Sequence, residues 1–90
     1  MPDRVCLQPC LGSTSAAATV GRQATYAALA QLGRAADLGC APALFAEVPE
    51  DVIFVQQDYV IAIESCDKLC ATRLVGSKGY EVHATVRVDE

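Results

Sequence analysis

The chain has 90 residues, 52% of them hydrophobic but only 6% aromatic, with no Trp; it is one small domain whose core is built from Ala, Val, Ile and Leu and buries a modest share of its surface. A formal charge of −4 with no basic cluster argues against a nucleic-acid backbone or an anionic membrane surface as partner. No apolar run approaches the roughly 18 residues of a membrane span, and Met1-Pro2-Asp3-Arg4 leads into too short an apolar stretch for a signal peptide.

The expected compartment is therefore the cytoplasm, where thiols stay reduced. Five cysteines there point to metal or redox chemistry rather than disulfides, and an odd number does not close a fully paired framework.

Taken in chain order, Arg4 to Gln8 reads as a first strand that Pro9 ends just before Cys10. Leu11-Gly12-Ser13-Thr14-Ser15 is a tight turn rich in helix-capping residues. Ala16 to Leu32 is a helix with Val20, Ala24, Ala28 and Leu32 at i, i+4 steps and Gly33 as its stop; Gly21 inside it costs about 1 kcal/mol against Ala. Ala35 to Cys40 reads as a second strand, ended by Pro42. The stretch 43–47 is ambiguous. Pro49-Glu50-Asp51 has the chemistry of a helix start, with β-prone Val52-Ile53-Phe54-Val55 as the rival strand.

Tyr59-Val60-Ile61-Ala62-Ile63 is the clearest buried parallel strand, apolar on both faces. Asp67 to Gly76 is expected as a helix. Tyr80 to Val88 alternates apolar and polar residues, the pattern of an edge or half-exposed strand. The order β-α-β-α-β-α-β implies an α/β fold: a single small domain, two or three layers deep, with an open, mostly parallel sheet of about four strands and helical crossovers.

Four cysteines sit at one point of this cycle. Cys10, Cys40 and Cys66 each follow a strand, and their separations of about 30 residues match one strand–helix–strand unit. In an open α/β sheet that point is the carboxyl edge, where ligands bind. Cys70 follows Cys66 at i+4, which on a helix would put both thiols on one face. Cys66 near the start of one helix, and Cys10 just upstream of another, favour the thiolate that a metal requires. Four thiolates suit tetrahedral zinc, and a metal staple also suits a small core built from small residues.

Cys10-Leu11-Gly12-Ser13, Cys40 and Ala62-Ile63-Glu64-Ser65-Cys66-Asp67-Lys68-Leu69-Cys70-Ala71, with Gly79-Tyr80-Glu81-Val82 after the last helix, resemble the DGC family over nearly the whole chain. That family is named for an Asp-Gly-Cys motif, and its biological role is unknown. The resemblance implies a zinc-binding domain and puts the metal ligands on Cys10, Cys40, Cys66 and Cys70. Glu64-Ser65 stands where the family has Asp-Gly, and the turn after Cys10 is longer than is usual there.

Other residues have plainer readings. Cys6, between Val5 and Leu7, is expected to be a core thiol rather than a substitute ligand or disulfide partner. His83 shares its face with Glu81, Thr85 and Arg87 and is expected to be solvated rather than metal-bound. Lys68 and Arg73 are solvated helix residues, or they offset the charge of a four-thiolate site. Cys10-Leu11-Gly12-Ser13-Thr14-Ser15 also has the look of a phosphate-cradling loop. A cysteine phosphatase of that type wants Arg six positions after the cysteine, where this chain has Ala16.

The first reading is thus a non-enzymatic zinc module, structural or metal-handling. The alternative is a cysteine-dependent enzyme or carrier, thiol redox or phosphocysteine, using Cys10 or Cys66. An iron–sulfur cluster is a lesser option for the same thiols. No protein partner is indicated.

Overall fold

The computed structural model describes residues 4–10 and 15–89. Its first strand, β1 (Val5–Pro9), takes in Pro9, one residue beyond the predicted end. Proline is tolerated there because the last rung toward the neighbouring strand is made by the Cys10 N–H, 2.9 Å from the Ile63 carbonyl. The predicted turn over residues 11–14 lies outside the described residues. Helix α1 (Ala16–Leu32) has the predicted bounds. Ser15 caps it by accepting the Ala18 N–H at 3.0 Å, and Gly33, at φ +57, ends it.

A single 3-10 turn (Gly33–Ala35) leads to β2 (Ala36–Leu38), shorter than the predicted strand. The ambiguous 43–47 stretch falls largely in a short helix, α2 (Ala41–Phe45), with Pro42 in its first turn rather than acting only as a strand stop. Pro49-Glu50-Asp51 does open a helix, α3 (Pro49–Gln57), and Val52–Val55 is part of it. The proline and the two acids at the helix start outweigh the β propensity of those four residues. Strand β3 (Tyr59–Glu64) follows.

Two expectations are corrected further on. Helix α4 (Cys70–Ser77) starts at Cys70, not Asp67, and residues 65–68 form bends and turns. The last strand, β4 (Ala84–Arg87), starts at Ala84 rather than Tyr80. The Tyr80 N–H is held by the Val75 carbonyl at the end of α4, so the chain wraps that helix before it joins the sheet.

The four strands are parallel, in the order β2-β1-β3-β4. From β1 the chain steps one way to β2, then back across β1 to β3. Because parallel crossovers share one hand, that reversal sends the connecting helices to opposite faces. On one face, Cys6 and Val60, paired in register, pack with Leu44, Val55 and Val75 from α2, α3 and α4. On the other, α1 crosses the sheet at Gly21, where a Cβ would stand 3.5 Å from Ile63 Cγ2. The domain therefore has three layers. Cys6 is fully buried in the core, as expected, and burial, with Asp58, Asp37 and Asp51 nearby, pushes its thiol up to about 12.

Candidate functional site

The reversal of strand order makes β1 and β3 neighbours whose following segments leave toward opposite faces. That opens a crevice at their carboxyl ends, the place where open α/β sheets bind ligands. A cavity of about 380 Å³ lies there, lined by Cys10 after β1, Ser15 at the start of α1, Ser65, Cys66 and Lys68 between β3 and α4, and Cys70 at the start of α4. Three of the four predicted ligands thus share one pocket.

The route by which Cys66 and Cys70 reach it differs from the i, i+4 expectation. They do not share a helix face. Cys66 sits in the turn, its carbonyl accepting the Leu69 N–H at 3.4 Å, and Cys70 is the first residue of α4. Leu69, the residue before the helix, stands at φ +53 and has no side-chain acceptor to cap it.

Glu64 supplies the cap from the end of β3. Only 1% exposed, its carboxylate accepts the Ala71 N–H at 3.2 Å, the Thr72 N–H at 2.8 Å and the Thr72 hydroxyl at 2.7 Å. A buried side chain accepting from the first amides of α4 fixes where the helix begins, and so where Cys70 stands. Next to it, the Ser65 hydroxyl donates to Cys10 Sγ at 3.4 Å, tying β1's exit to β3's. The signal for Glu64 was available in the sequence: it is the acid at the motif's Asp position, closing an apolar strand a few residues before a helix.

Cys40 is placed differently. It follows β2, is exposed, and is not among the described residues lining the cavity. Its N–H donates to Asp51 Oδ1 at 3.0 Å and its carbonyl accepts the Leu44 N–H at 2.9 Å, so its backbone is committed to anchoring α2 and α3. The preceding Gly39 is buried against Gln8, whose Oε1 would lie 2.1 Å from a Cβ there.

Thiolates are the donors that zinc and other thiophilic ions prefer, so the donor set fits such an ion in kind. Among the described residues, however, no three His, Cys, Asp or Glu side chains stand close enough together to hold a metal ion.

His83 is exposed, as expected, yet it is not simply solvated. Its Nδ1 accepts the Val60 N–H at 2.9 Å, its own N–H returns to the Val60 carbonyl at 2.8 Å, and its ring stacks on Tyr59 at 4.9 Å. The side chain acts as one more rung between β3 and the chain entering β4. A separate charged group lies toward the strands' amino ends. Arg4 Nε donates to Asp37 Oδ2 at 3.1 Å, an ion pair that holds Asp37 below the usual carboxylate range. Asp58 is 5% exposed, and burial together with Asp37 pushes its acid up to about 6. No helix among the described residues is long and apolar enough to cross a membrane.

A family model described as the DGC domain matches residues 6–90, essentially the whole chain. No curated protein matches the chain, and no solved structure does.

Proposed function

The chain belongs to the DGC domain family, and we propose that it is a cytoplasmic metal-binding module that takes zinc at the carboxyl edge of its sheet, with Cys10, Cys40, Cys66 and Cys70 as candidate thiolates. The observation that carries this reading is the convergence of Cys10, Cys66 and Cys70, from two different strand ends, on one cavity. That cavity lies at the switch point of a parallel sheet, which is where such folds place ligands.

The bound ion would supply a cross-link between the β1 and β3 exits, in structural or metal-handling use. Since the thiols stand apart in the structure, binding requires them to draw together around the ion. Nothing in the reading needs nucleic acid or a membrane.

Native mass spectrometry and elemental analysis of protein purified under reducing conditions test it. One zinc per chain is expected, and Cys66→Ser should lower metal content and melting temperature together. A metal-free protein that stays folded and alkylates quickly at Cys10 would refute it, and anaerobic purification separates zinc from an iron–sulfur cluster.

A second reading rests on the Ser65 hydroxyl, 3.4 Å from Cys10 Sγ. A donor on that sulfur also suits a cysteine nucleophile, in thiol redox or phosphocysteine transfer. Fast, selective alkylation of Cys10 in the metal-free protein is its signature.

A further inference from the structure

We infer that α1 is the interface of a symmetric dimer: each copy lays the uncharged outer face of its α1 on the strip of sheet, beside β4, that the other copy's α1 leaves open. The dimer is independent of the metal-binding reading. A shortage of cover on one side of the sheet is the first reason. Four strands about 4.8 Å apart make a surface about 19 Å wide, and one helix is about 10 Å across. Helices α2, α3 and α4 share one face, whereas α1 has the other to itself and packs chiefly on β1, β2 and β3.

Val86 of β4 pairs with Ile63, which lies under Gly21 of α1, so Val86 belongs to the α1 face, yet it is 51% exposed. Ala84 and Val88, two residues to either side of it, continue an uncharged strip. Among the described residues, five of the eight large apolar side chains left exposed lie on this side of the molecule. They are Val20, Tyr26 and Leu32 on α1, with Leu38 and Val86 at the two edges of the sheet. The strip is as wide as the missing helix.

Charge is the second reason, and it names the occupant. A surface helix ordinarily turns charged side chains to water. The exposed residues of α1 include none, and its one charged residue, Arg22, is half-buried. No acid occurs between Arg4 and Ala36, although the chain carries eleven and a net charge of −4. Two copies meet here without bringing acids together, whereas an approach through the α2–α3 side would oppose Glu47, Glu50 and Asp51 to themselves. A basic partner would be drawn to that acidic side instead. A two-fold axis beside α1 covers helix and strip at once, with the two helices about 8–10 Å apart between the two sheets. A 17-residue helix is about 25 Å long, so helix face and strip give each copy roughly 500 Å² of interface, at the low end for specific association. The dimer is therefore weak, with Kd expected at about 10–100 µM.

Sedimentation velocity from about 5 µM to about 1 mM tests it: the wild type should pass from the 9.5 kDa of one chain to twice that mass. Val20→Lys and Val86→Lys, both at exposed positions, should each raise Kd about tenfold or more. Phe45→Lys, at an exposed position on the other side of the sheet, should leave Kd unchanged. Each lysine lowers the net negative charge, so lost association cannot come from added overall repulsion. Circular dichroism in dilute solution, where every protein is monomeric, checks that the variants fold.

In the wild type, which avoids any folding defect of a variant, amide NMR signals that move on dilution should cluster on α1 and β4. A wild type that stays monomeric to about 1 mM overturns the inference. So does a dimer that ignores Val20→Lys or Val86→Lys, one that is lost in Phe45→Lys, or dilution shifts confined to α2 and α3. Co-sedimentation of the monomer with phosphatidylcholine vesicles, abolished by Val20→Lys, would make a bilayer the occupant of the α1 face and overturn it as well.

Discussion

Removing the Glu64 carboxylate should uncouple the pocket from the sheet. Glu64 is 1% exposed and accepts three hydrogen bonds from Ala71 and Thr72, at 3.2, 2.8 and 2.7 Å. Glu64→Ala deletes the only side-chain cap described for α4, leaves two amides and a hydroxyl without their acceptor, and opens a small void. A lost cap, here the Ala71 and Thr72 N–H bonds, costs about 1–2 kcal/mol, and the abandoned, partly buried Thr72 hydroxyl adds about 1–2 kcal/mol. Together these come to about 2–4 kcal/mol, a large share of what a chain of this length commands.

Glu64→Gln keeps the shape. The better amide orientation leaves its oxygen on Thr72, which makes two of the three bonds, and turns its NH2 against the Ala71 N–H. About 2 kcal/mol is expected for that variant. Urea unfolding followed by circular dichroism ranks the two, and amide exchange at Ala71 and Thr72 localises the effect. On the proposed metal-binding reading, both variants should also take up less zinc, because Cys70 begins the helix that Glu64 caps. An alanine variant within about 1 kcal/mol of wild type, with exchange at Ala71 and Thr72 unchanged, would refute the reasoning.

Three further outcomes follow from the same structure. Asp58, with its acid pushed up to about 6, keeps a proton in the folded chain that the unfolded chain, with an ordinary value of about 3.9, has released; stability contributed by Asp58 therefore falls as pH rises from about 4 to about 6. Asp58→Asn should flatten that slope and be more stable at pH 7 by about 1–3 kcal/mol, and parallel slopes in urea titrations of the two proteins would count against it. Gly39→Ala should cost about 1–3 kcal/mol because its Cβ would meet Gln8 Oε1 at 2.1 Å in a buried setting, and Gln8→Ala in the same chain should recover much of the loss. His83→Ala should leave the Val60 N–H without an acceptor, lowering stability by about 1–3 kcal/mol and speeding exchange at Val60, whereas His83→Asn keeps an acceptor nearby and should recover part of the loss.

Much of the architecture was legible because its signals are local. Helix α1 could be bounded from Ser15, the small-residue repeat and Gly33 alone, and β3 from an unbroken apolar run. Val52–Val55 shows the limit of propensity: four β-prone residues are helical because the proline and acids before them start a helix that buries Val55. The start of α4, at Cys70 rather than Asp67, departs from the local pattern for a different reason. Its cap is Glu64, on the neighbouring strand end and separated from the helix by a turn, so no window read as a helix contains it. The acceptor role of His83 escapes a local pattern on the same ground, since it depends on Val60 across the sheet.

The cysteines divide along that line. Spacing in the sequence determined that Cys10, Cys40 and Cys66 each end up at the carboxyl side of the sheet, because position within a strand–helix cycle is set by element lengths along the chain. Which of them become neighbours is set by strand order, and that is decided by how the helices cover both faces, a property of long-range packing. With the order β2-β1-β3-β4, β1 and β3 adjoin at the point where the chain reverses, so Cys10 meets Cys66 and Cys70 in one cavity, while Cys40 stays at the end of the edge strand, tied to Asp51.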